Sequence, residues 1–288
     1  MSTTAYSPAV CYLPTNEAYD RWAGVYDTDG NFLQRIDDVE MKASLLPRLL
    51  DALQNQHCEH RIVVDLGCGT GRNTARLLSS SAAESVDEVV ALDASHGMLD
   101  IARARLLPSA SIDNAGEKGN VIRPRLHLIH HDLLSDPVPP EPARGTANAV
   151  ISTLVLEHVP LKAFFAHVAA MLKPDGDGLL LLTNMHADMG HLSQAGFVDA
   201  ETGVKIRPKS YAHTVAEVLA EADRWGFSVL VDDLIRGRQG GEEAKTIQGV
   251  KEVMVNEDMI EALGPRSQKW VGVTCWFGCL FKRMEKRD

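Results

Sequence analysis

A glycine-rich loop in the first half of the chain has residues that could bind a ligand through their backbone. An apolar stretch at residues 60–67 runs into Gly67, Gly69 and Gly71, and Asp65 stands two residues ahead of the loop. Glycines permit positive φ in a tight turn and let a ligand approach the backbone closely. The helix predicted to follow offers free N–H donors at its start. We therefore expect a ligand at the carboxyl end of this strand.

The glycine loop alone does not determine which ligand binds there. The loop reads G-x-G-x-G, whereas the dinucleotide fingerprint is G-x-G-x-x-G. Asp93 ends the next apolar stretch, VVALD, where a carboxylate can accept hydrogen bonds from both ribose hydroxyls. Such an acid serves NAD and S-adenosylmethionine equally well. The loop disfavours an NAD-dependent dehydrogenase, and a nucleotide triphosphatase is disfavoured because no Walker lysine follows the glycines.

The segment D-L-G-C-G-T-G at residues 65–71 resembles the first motif of class I S-adenosylmethionine-dependent methyltransferases. Further landmarks follow in that family's order over about residues 17–283, and resemble in particular ubiquinone-biosynthesis-like and fungal secondary-metabolite methyltransferases. In chain order they are AYDRWAGVYD (18–27), Asp93 within ALDASHGML, Asp132-Leu133 within HHDLL, ISTLVLEHV (151–159) and the late helix YAHTVAEVLAEADRWGF (211–227).

The resemblance implies S-adenosylmethionine as cofactor and nominates residues to hold it. Gly67 and Gly69 would face its methionine part, Asp93 the ribose, and Met98 and Leu133 the adenine. The predicted cofactor-binding set is Tyr19, Tyr26, Asp65, Gly67, Gly69, Gly71, Asp93, Ala94, Met98, Asp132, Leu133 and Leu154. Tyr19, Tyr26 and neighbouring Trp22 could clamp the cofactor or a cationic acceptor, or simply pack the N-terminal helix.

Methyl transfer is an in-line displacement, so the protein mainly has to align the acceptor with the methyl group. A general base matters only when the acceptor arrives protonated. His158 and His213 are the candidates for that base, although each could merely position a loop. His186, Asp188 and His191 are ligand types that could hold a metal. Short polar loops produce such spacing by chance, and we expect no metal.

Alternating apolar and amphipathic stretches predict the fold that positions these residues. Near-continuous apolar strands separated by helices are typical of a parallel sheet covered on both faces. We expect an α/β fold with a doubly wound, mostly parallel, seven-stranded sheet of Rossmann-like type. Predicted strands are 60–67, 87–95, 125–132, 148–156, 178–185, 228–237 and 271–283, with helices at 73–82, 97–107, 161–173 and 214–227.

The chain divides into two expected parts. Residues 1–59 contain two amphipathic stretches, 17–26 and 39–54, and are predicted to form a helical lid. Residues 60–288 would form the S-adenosylmethionine-binding domain. A polar stretch at 108–120 reads as a surface insertion, and residues 237–264 as a contribution to the substrate pocket or to dimerisation.

Composition narrows the partners of this 288-residue chain. Its 29 Lys and Arg against 39 Asp and Glu give a net charge of −10, the opposite of what nucleic-acid binding requires. No apolar run reaches the roughly 18 residues of a membrane span. Five scattered cysteines suit a reducing compartment, so we expect a cytoplasmic protein.

The predicted function is methyl transfer to nitrogen or oxygen, with sulfur as a further option, of a small secondary metabolite. The acidic balance of the chain favours a neutral or cationic acceptor, and a homodimer is a further expectation. The alternative is a regulator of the same fold that binds S-adenosylmethionine without turnover, because its binding motifs would be identical.

Overall fold

The computed structural model describes residues 10–79, 82, 84–107, 124–174, 177–231 and 249–284. A central sheet of eight strands dominates this part of the chain. Its strands are β2 (Ile62–Leu66), β3 (Glu88–Asp93), β4 (Arg125–His130), β5 (Ala149–Thr153), β6 (Leu179–Met185), β9 (Phe227–Val229), β10 (Lys251–Met254) and β11 (Thr274–Arg283). A second, three-stranded sheet contains β1 (Val10–Leu13), β7 (Phe197–Val198) and β8 (Lys205–Pro208).

The helices precede, separate and follow these strands. They are α1 (Thr15–Trp22), α2 (Phe32–Glu40), α3 (Leu46–Gln54), α4 (Arg72–Leu77), α5 (His96–Leu106), α6 (Leu161–Met171), α7 (Ala187–Leu192), α8 (Val215–Arg224) and α9 (Ile260–Leu263). A π-helical turn, Met41–Leu45, joins α2 to α3. None of the helices in the described ranges is long and apolar enough to cross a membrane.

The central sheet has the order β10-β11-β6-β5-β2-β3-β4, with β9 paired to the far end of β11. Strands β2 to β6 run parallel, whereas β11 runs antiparallel to β6. The order reverses at β2, which has β3 on one side and β5 on the other. This is the switch point at which open α/β sheets bind ligands. The predicted doubly wound, mostly parallel α/β fold is confirmed.

Both faces of the sheet are buried, which explains why its strands are apolar along their whole length. On one face, α3 packs through Leu49 and Leu53 against the sheet residues Leu181 and Trp276. On the other face, Phe165 of α6 lies among sheet side chains that include Phe281. Helices α2 and α3 thus share a core with the sheet, whereas α1 packs in a separate small cluster with β7 and β8.

Several predicted segments differ from the observed elements. The amphipathic stretch 39–54 is the C-terminal part of a longer run, because α2 begins already at Phe32. The strand predicted at 228–237 is described only through residue 231, and its strand is Phe227–Val229. The polar stretch 108–120 lies outside the described residues, as does most of the first half of 237–264. The division at residue 59 stays a prediction.

Candidate active site

A cavity of about 490 Å³ lies at the carboxyl ends of β2, β3 and β5, beneath α1. Its size is that of an ordinary small-molecule site. Most of the residues predicted to hold cofactor or to act as base lie along its wall. They are Tyr19, Tyr26, Gly67, Gly69, Asp93, Ala94, Met98, Asp132, Leu133, Leu154 and His158.

Three predicted residues do not line this cavity. The Asp65 carboxylate is buried under the glycine loop, where it accepts a hydrogen bond from Thr74 Oγ1 at 2.6 Å, and burial raises its pKa to about 7. Gly71 lies at the start of α4 with φ of 79° and backs onto α5. His213 donates from Nε2 to the carbonyl of Val159 at 2.9 Å.

The glycine loop is folded by its own backbone and leaves one side open. The N–H groups of Gly67 and Cys68 donate to the carbonyl of Leu92, which ties the loop to the end of β3. Gly67 has φ of 74°, and a Cβ there would lie 2.2 Å from Val155 Cγ2. Gly69 has φ of 54°, and a Cβ there would meet nothing within 4 Å. The loop is therefore packed tightly at Gly67 and open to the cavity at Gly69.

Asp93 is held rigidly at the mouth of this loop. Its Oδ2 accepts from the Gly69 N–H at 2.7 Å and its Oδ1 from the Ser95 N–H at 2.8 Å. Burial raises the pKa of Asp93 to about 6, and these two hydrogen bonds oppose that shift. The fixed carboxylate faces the cavity with lone pairs to spare, so it can accept hydrogen bonds from ligand hydroxyls.

The remaining wall is mainly apolar. Met98 and Leu133 are buried side chains on it, and Leu154 contributes backbone with φ of 57°, an uncommon conformation for a residue other than glycine. Asp132 lines the cavity, but its carboxylate accepts a hydrogen bond within its own turn, from the Leu134 N–H at 2.9 Å. An open glycine backbone, a fixed carboxylate and an apolar slot fit the methionine, ribose and adenine parts of S-adenosylmethionine.

Tyr19 and His158 form a partly buried hydrogen bond on the wall of the cavity, with Oη 2.7 Å from Nε2. Nδ1 of His158 lies 2.8 Å from the carbonyl of Lys209. A carbonyl can only accept, so Nδ1 carries the proton in a neutral ring and Nε2 accepts from the Tyr19 hydroxyl. Burial holds the pKa of Tyr19 well above its usual value, which keeps it a phenol.

Two aspartates tie the N-terminal segment to the glycine loop and to α5. Asp20 accepts from Ser95 Oγ at 2.7 Å and from the Gly97 N–H at 2.8 Å, at the start of α5. Asp27 accepts from Thr70 Oγ1 at 3.0 Å, and its other oxygen lies 2.5 Å from Arg105. Both lie in the AYDRWAGVYD segment, in which only the aromatic residues were predicted to contact a ligand.

A smaller chamber of about 110 Å³ adjoins the first across Tyr19, Tyr26 and Leu154, which line both. Glu157 reaches it from the turn after β5. This side chain is buried, its Oε2 has no hydrogen-bond partner within the described ranges, and burial raises its pKa. Glu157 was not predicted as a site residue, because nothing in the local sequence signals its burial.

The segment considered for a metal makes other contacts. Nδ1 of His186 accepts from the Asp188 N–H at 3.1 Å, and its Nε2 lies 3.2 Å from Glu252 Oε1. His191 is not part of this contact. Over the described ranges, no group of three or more His, Cys, Asp or Glu side chains is arranged to hold a metal ion.

Comparisons with known proteins agree with this geometry. A family model described as a methyltransferase domain matches residues 63–176. A protein of Emericella nidulans described as the uncharacterized methyltransferase AN0656 is 47% identical over 281 residues, which cover 93% of this chain and 90% of that protein.

Two solved structures share the fold at low sequence identity. The DhpI–SAH complex is 18% identical, with a TM-score of 0.54 over 94% of this chain and 95% of that one. Magnesium protoporphyrin IX methyltransferase from Synechocystis PCC 6803, with bound SAH, is 16% identical, with a TM-score of 0.50 over 93% and 94%. The fold, the family-model match and the close relative together show that the chain belongs to the S-adenosylmethionine-dependent methyltransferase family.

Proposed function

We propose that this methyltransferase binds S-adenosylmethionine in the larger cavity and methylates nitrogen or oxygen of a small metabolite that enters the smaller chamber. The observation that carries the proposal is the contact between the two spaces. The larger one has the glycine loop and Asp93, and the smaller one adjoins it at Tyr19, Tyr26 and Leu154. Cofactor and acceptor would therefore meet at these three side chains.

The cofactor contacts follow from the wall of the larger cavity. Bound there, S-adenosylmethionine supplies a methyl group activated by its sulfonium centre. Asp93 would accept hydrogen bonds from the ribose hydroxyls, and the open backbone at Gly69 would let the methionine part approach. Met98 and Leu133 would contact the adenine. Asp65 and Gly71 would act from beneath the loop, by holding its shape.

The N-terminal segment would close the cofactor cavity. Helix α1 packs against the start of α5, and Asp20 fixes that contact with two hydrogen bonds. On the cavity side of the segment, Tyr26 is buried and Tyr19 is partly buried. It would act as the lid predicted for the N-terminal extension, by excluding water and holding the acceptor in line.

Tyr19 and His158 would together remove the proton of a protonated acceptor. An acceptor O–H or N–H facing Tyr19 gives its proton to Oη, while the phenol passes its own proton to His158 Nε2. Tyrosine thus stays neutral, and the imidazole gains the positive charge with Nδ1 still bonded to the Lys209 carbonyl.

We assign the base to His158 rather than His213 because only His158 lines the cavity. His213 is bonded to the Val159 carbonyl and would position the turn that carries His158.

The test is incubation of the protein with methyl-labelled S-adenosylmethionine and a metabolite extract, followed by mass spectrometry. We expect a metabolite that gains one methyl group, and we expect His158→Gln to reduce its formation strongly. A protein that binds S-adenosylhomocysteine but labels no metabolite would be the non-catalytic regulator, and the proposal would fail. A secondary-metabolite acceptor, a cytoplasmic location and a homodimer stay predictions.

A further inference from the structure

The smaller chamber is surrounded by more positive charge than negative charge. Lys205, at the start of β8, reaches it from one side, and Arg266 and Lys269 reach it from the turn Pro265–Trp270. The carboxylates on its wall are Asp29 and Glu157. Three cations thus face two acids, in a chain whose net charge is −10. The charge around the chamber is therefore positive, although the net charge of the whole chain is negative.

Neither acid serves as a counter-ion for the two lysines, Lys205 and Lys269. Asp29 accepts from Trp22 Nε1 at 2.9 Å and from the Asn31 N–H at 2.9 Å, and it lies 3.9 Å from Arg266. Burial raises the pKa of Glu157, so its carboxyl group is held toward the neutral form.

The two lysines have no carboxylate partner among the described residues. Lys269 lies over the ring of Trp270, 5.0 Å from its centre. The Lys205 side chain makes no hydrogen bond or ion pair within the described ranges, and burial together with repulsion from Arg207, Lys269 and Arg266 lowers its pKa. A partly buried cation repelled by its neighbours is stabilised by any anion that reaches it.

Resting on the proposed function, we infer that the methyl acceptor is a short acid that carries an O–H or N–H group. Its carboxylate would bind Lys205 and Lys269 in the smaller chamber. Charge-assisted hydrogen bonds to a carboxylate are the strongest that these side chains can offer. The chamber of about 110 Å³ admits a carboxylate and a few further atoms, which limits the length of the acid.

Glu157 would bind the end of the acceptor that lies away from its carboxylate. Its Oε2 has no partner, and an unpaired buried oxygen is costly unless a ligand satisfies it. Tyr19 lines both this chamber and the larger cavity, whereas Glu157 lines only the chamber. A hydroxyl or amine held by Glu157 at Tyr19 would be the atom that is methylated. The acceptor class is therefore a small hydroxy- or amino-carboxylate.

The experiment uses the full chain saturated with S-adenosylhomocysteine and measures probe binding by saturation-transfer NMR. Each probe is a short hydroxy acid with its matched amide: glycolate with glycolamide, and lactate with lactamide. We expect at least one acid to bind about tenfold more tightly than its amide. Lys205→Gln and Lys269→Gln should each reduce that preference, and the double variant should abolish it.

Lys162→Gln, on the exposed face of α6 and away from the chamber, is the matched control and should keep the full preference. The inference is overturned if no acid binds better than its amide, or if the double variant retains the preference. S-adenosylhomocysteine affinity, measured in parallel, should be unchanged in all variants. A wild-type protein that fails to bind S-adenosylhomocysteine would instead refute the proposed function.

Discussion

Gly67→Ala and Gly69→Ala form a matched pair that separates the fold of the loop from its ligand contact. Both glycines have positive φ, so alanine costs about 1–2 kcal/mol of backbone strain at either position. At Gly67 the new methyl group would also lie 2.2 Å from Val155 Cγ2. Valine is stiff about χ1, and overpacking of this kind costs about 1–3 kcal/mol more. Gly67→Ala should therefore lose about 2–5 kcal/mol, and Gly69→Ala about 1–2 kcal/mol.

Urea unfolding measures the free energy of unfolding of both variants, and calorimetric titration with S-adenosylhomocysteine measures their affinity. Gly69→Ala should remain folded but bind at least about tenfold more weakly, because its methyl group enters the cavity at the place proposed for the methionine part of the cofactor. Equal destabilisation of the two variants would refute the steric argument. Wild-type affinity in Gly69→Ala would show that the cofactor does not lie against the loop.

Three further predictions concern charged and hydrogen-bonding groups around the site. Burial raises the pKa of Asp65 to about 7, so this carboxyl group binds its proton more tightly in the folded protein than in the unfolded chain. Its contribution to the free energy of unfolding is therefore full below about pH 4 and is lost as the pH rises through 7. Relative to Asp65→Asn, wild type should thus lose roughly 3 kcal/mol of unfolding free energy between about pH 5 and about pH 8, and parallel urea-unfolding curves would contradict this. Tyr19→Phe should lower kcat about 100-fold with a protonated acceptor while S-adenosylhomocysteine affinity stays within about twofold; a loss of affinity with unchanged kcat would make Tyr19 a clamp only. Asp27→Asn should speed amide hydrogen exchange in α1 by weakening the tie to Thr70 and Arg105, and unchanged exchange would place the closure of the segment elsewhere.

The parallel strands and the glycine loop could be predicted because their signals are local. Buried strands such as Leu179–Met185 are apolar along their length, and the loop residues Gly67–Gly71 follow such a strand directly. Part of the wall of the larger cavity followed from family resemblance, since Gly67, Asp93 and Asp132 stand at or just after the ends of β2, β3 and β4. The small sheet of β1, β7 and β8 was missed because strands of two to four residues carry no readable periodicity.

Other parts of the site depend on long-range contacts that composition and spacing cannot show. His158 and His213 are equivalent candidates in sequence, and only the fold turns one toward the cavity and the other toward a carbonyl. Net charge favoured a neutral or cationic acceptor, whereas Lys205 and Lys269 meet from distant segments and make the chamber locally positive. Charge summed over a chain describes its average surface, not one cavity.

Titration of S-adenosylhomocysteine into wild type, Asp93→Ala and Asp100→Ala tests the central claim most directly. Asp93 lines the cavity with a fixed carboxylate, whereas Asp100 is an exposed residue of α5 that pairs with Arg103. We predict micromolar binding to wild type and to Asp100→Ala, and loss of that binding in Asp93→Ala. No binding to wild type, or equal binding to all three proteins, would contradict the placement of the cofactor in this cavity.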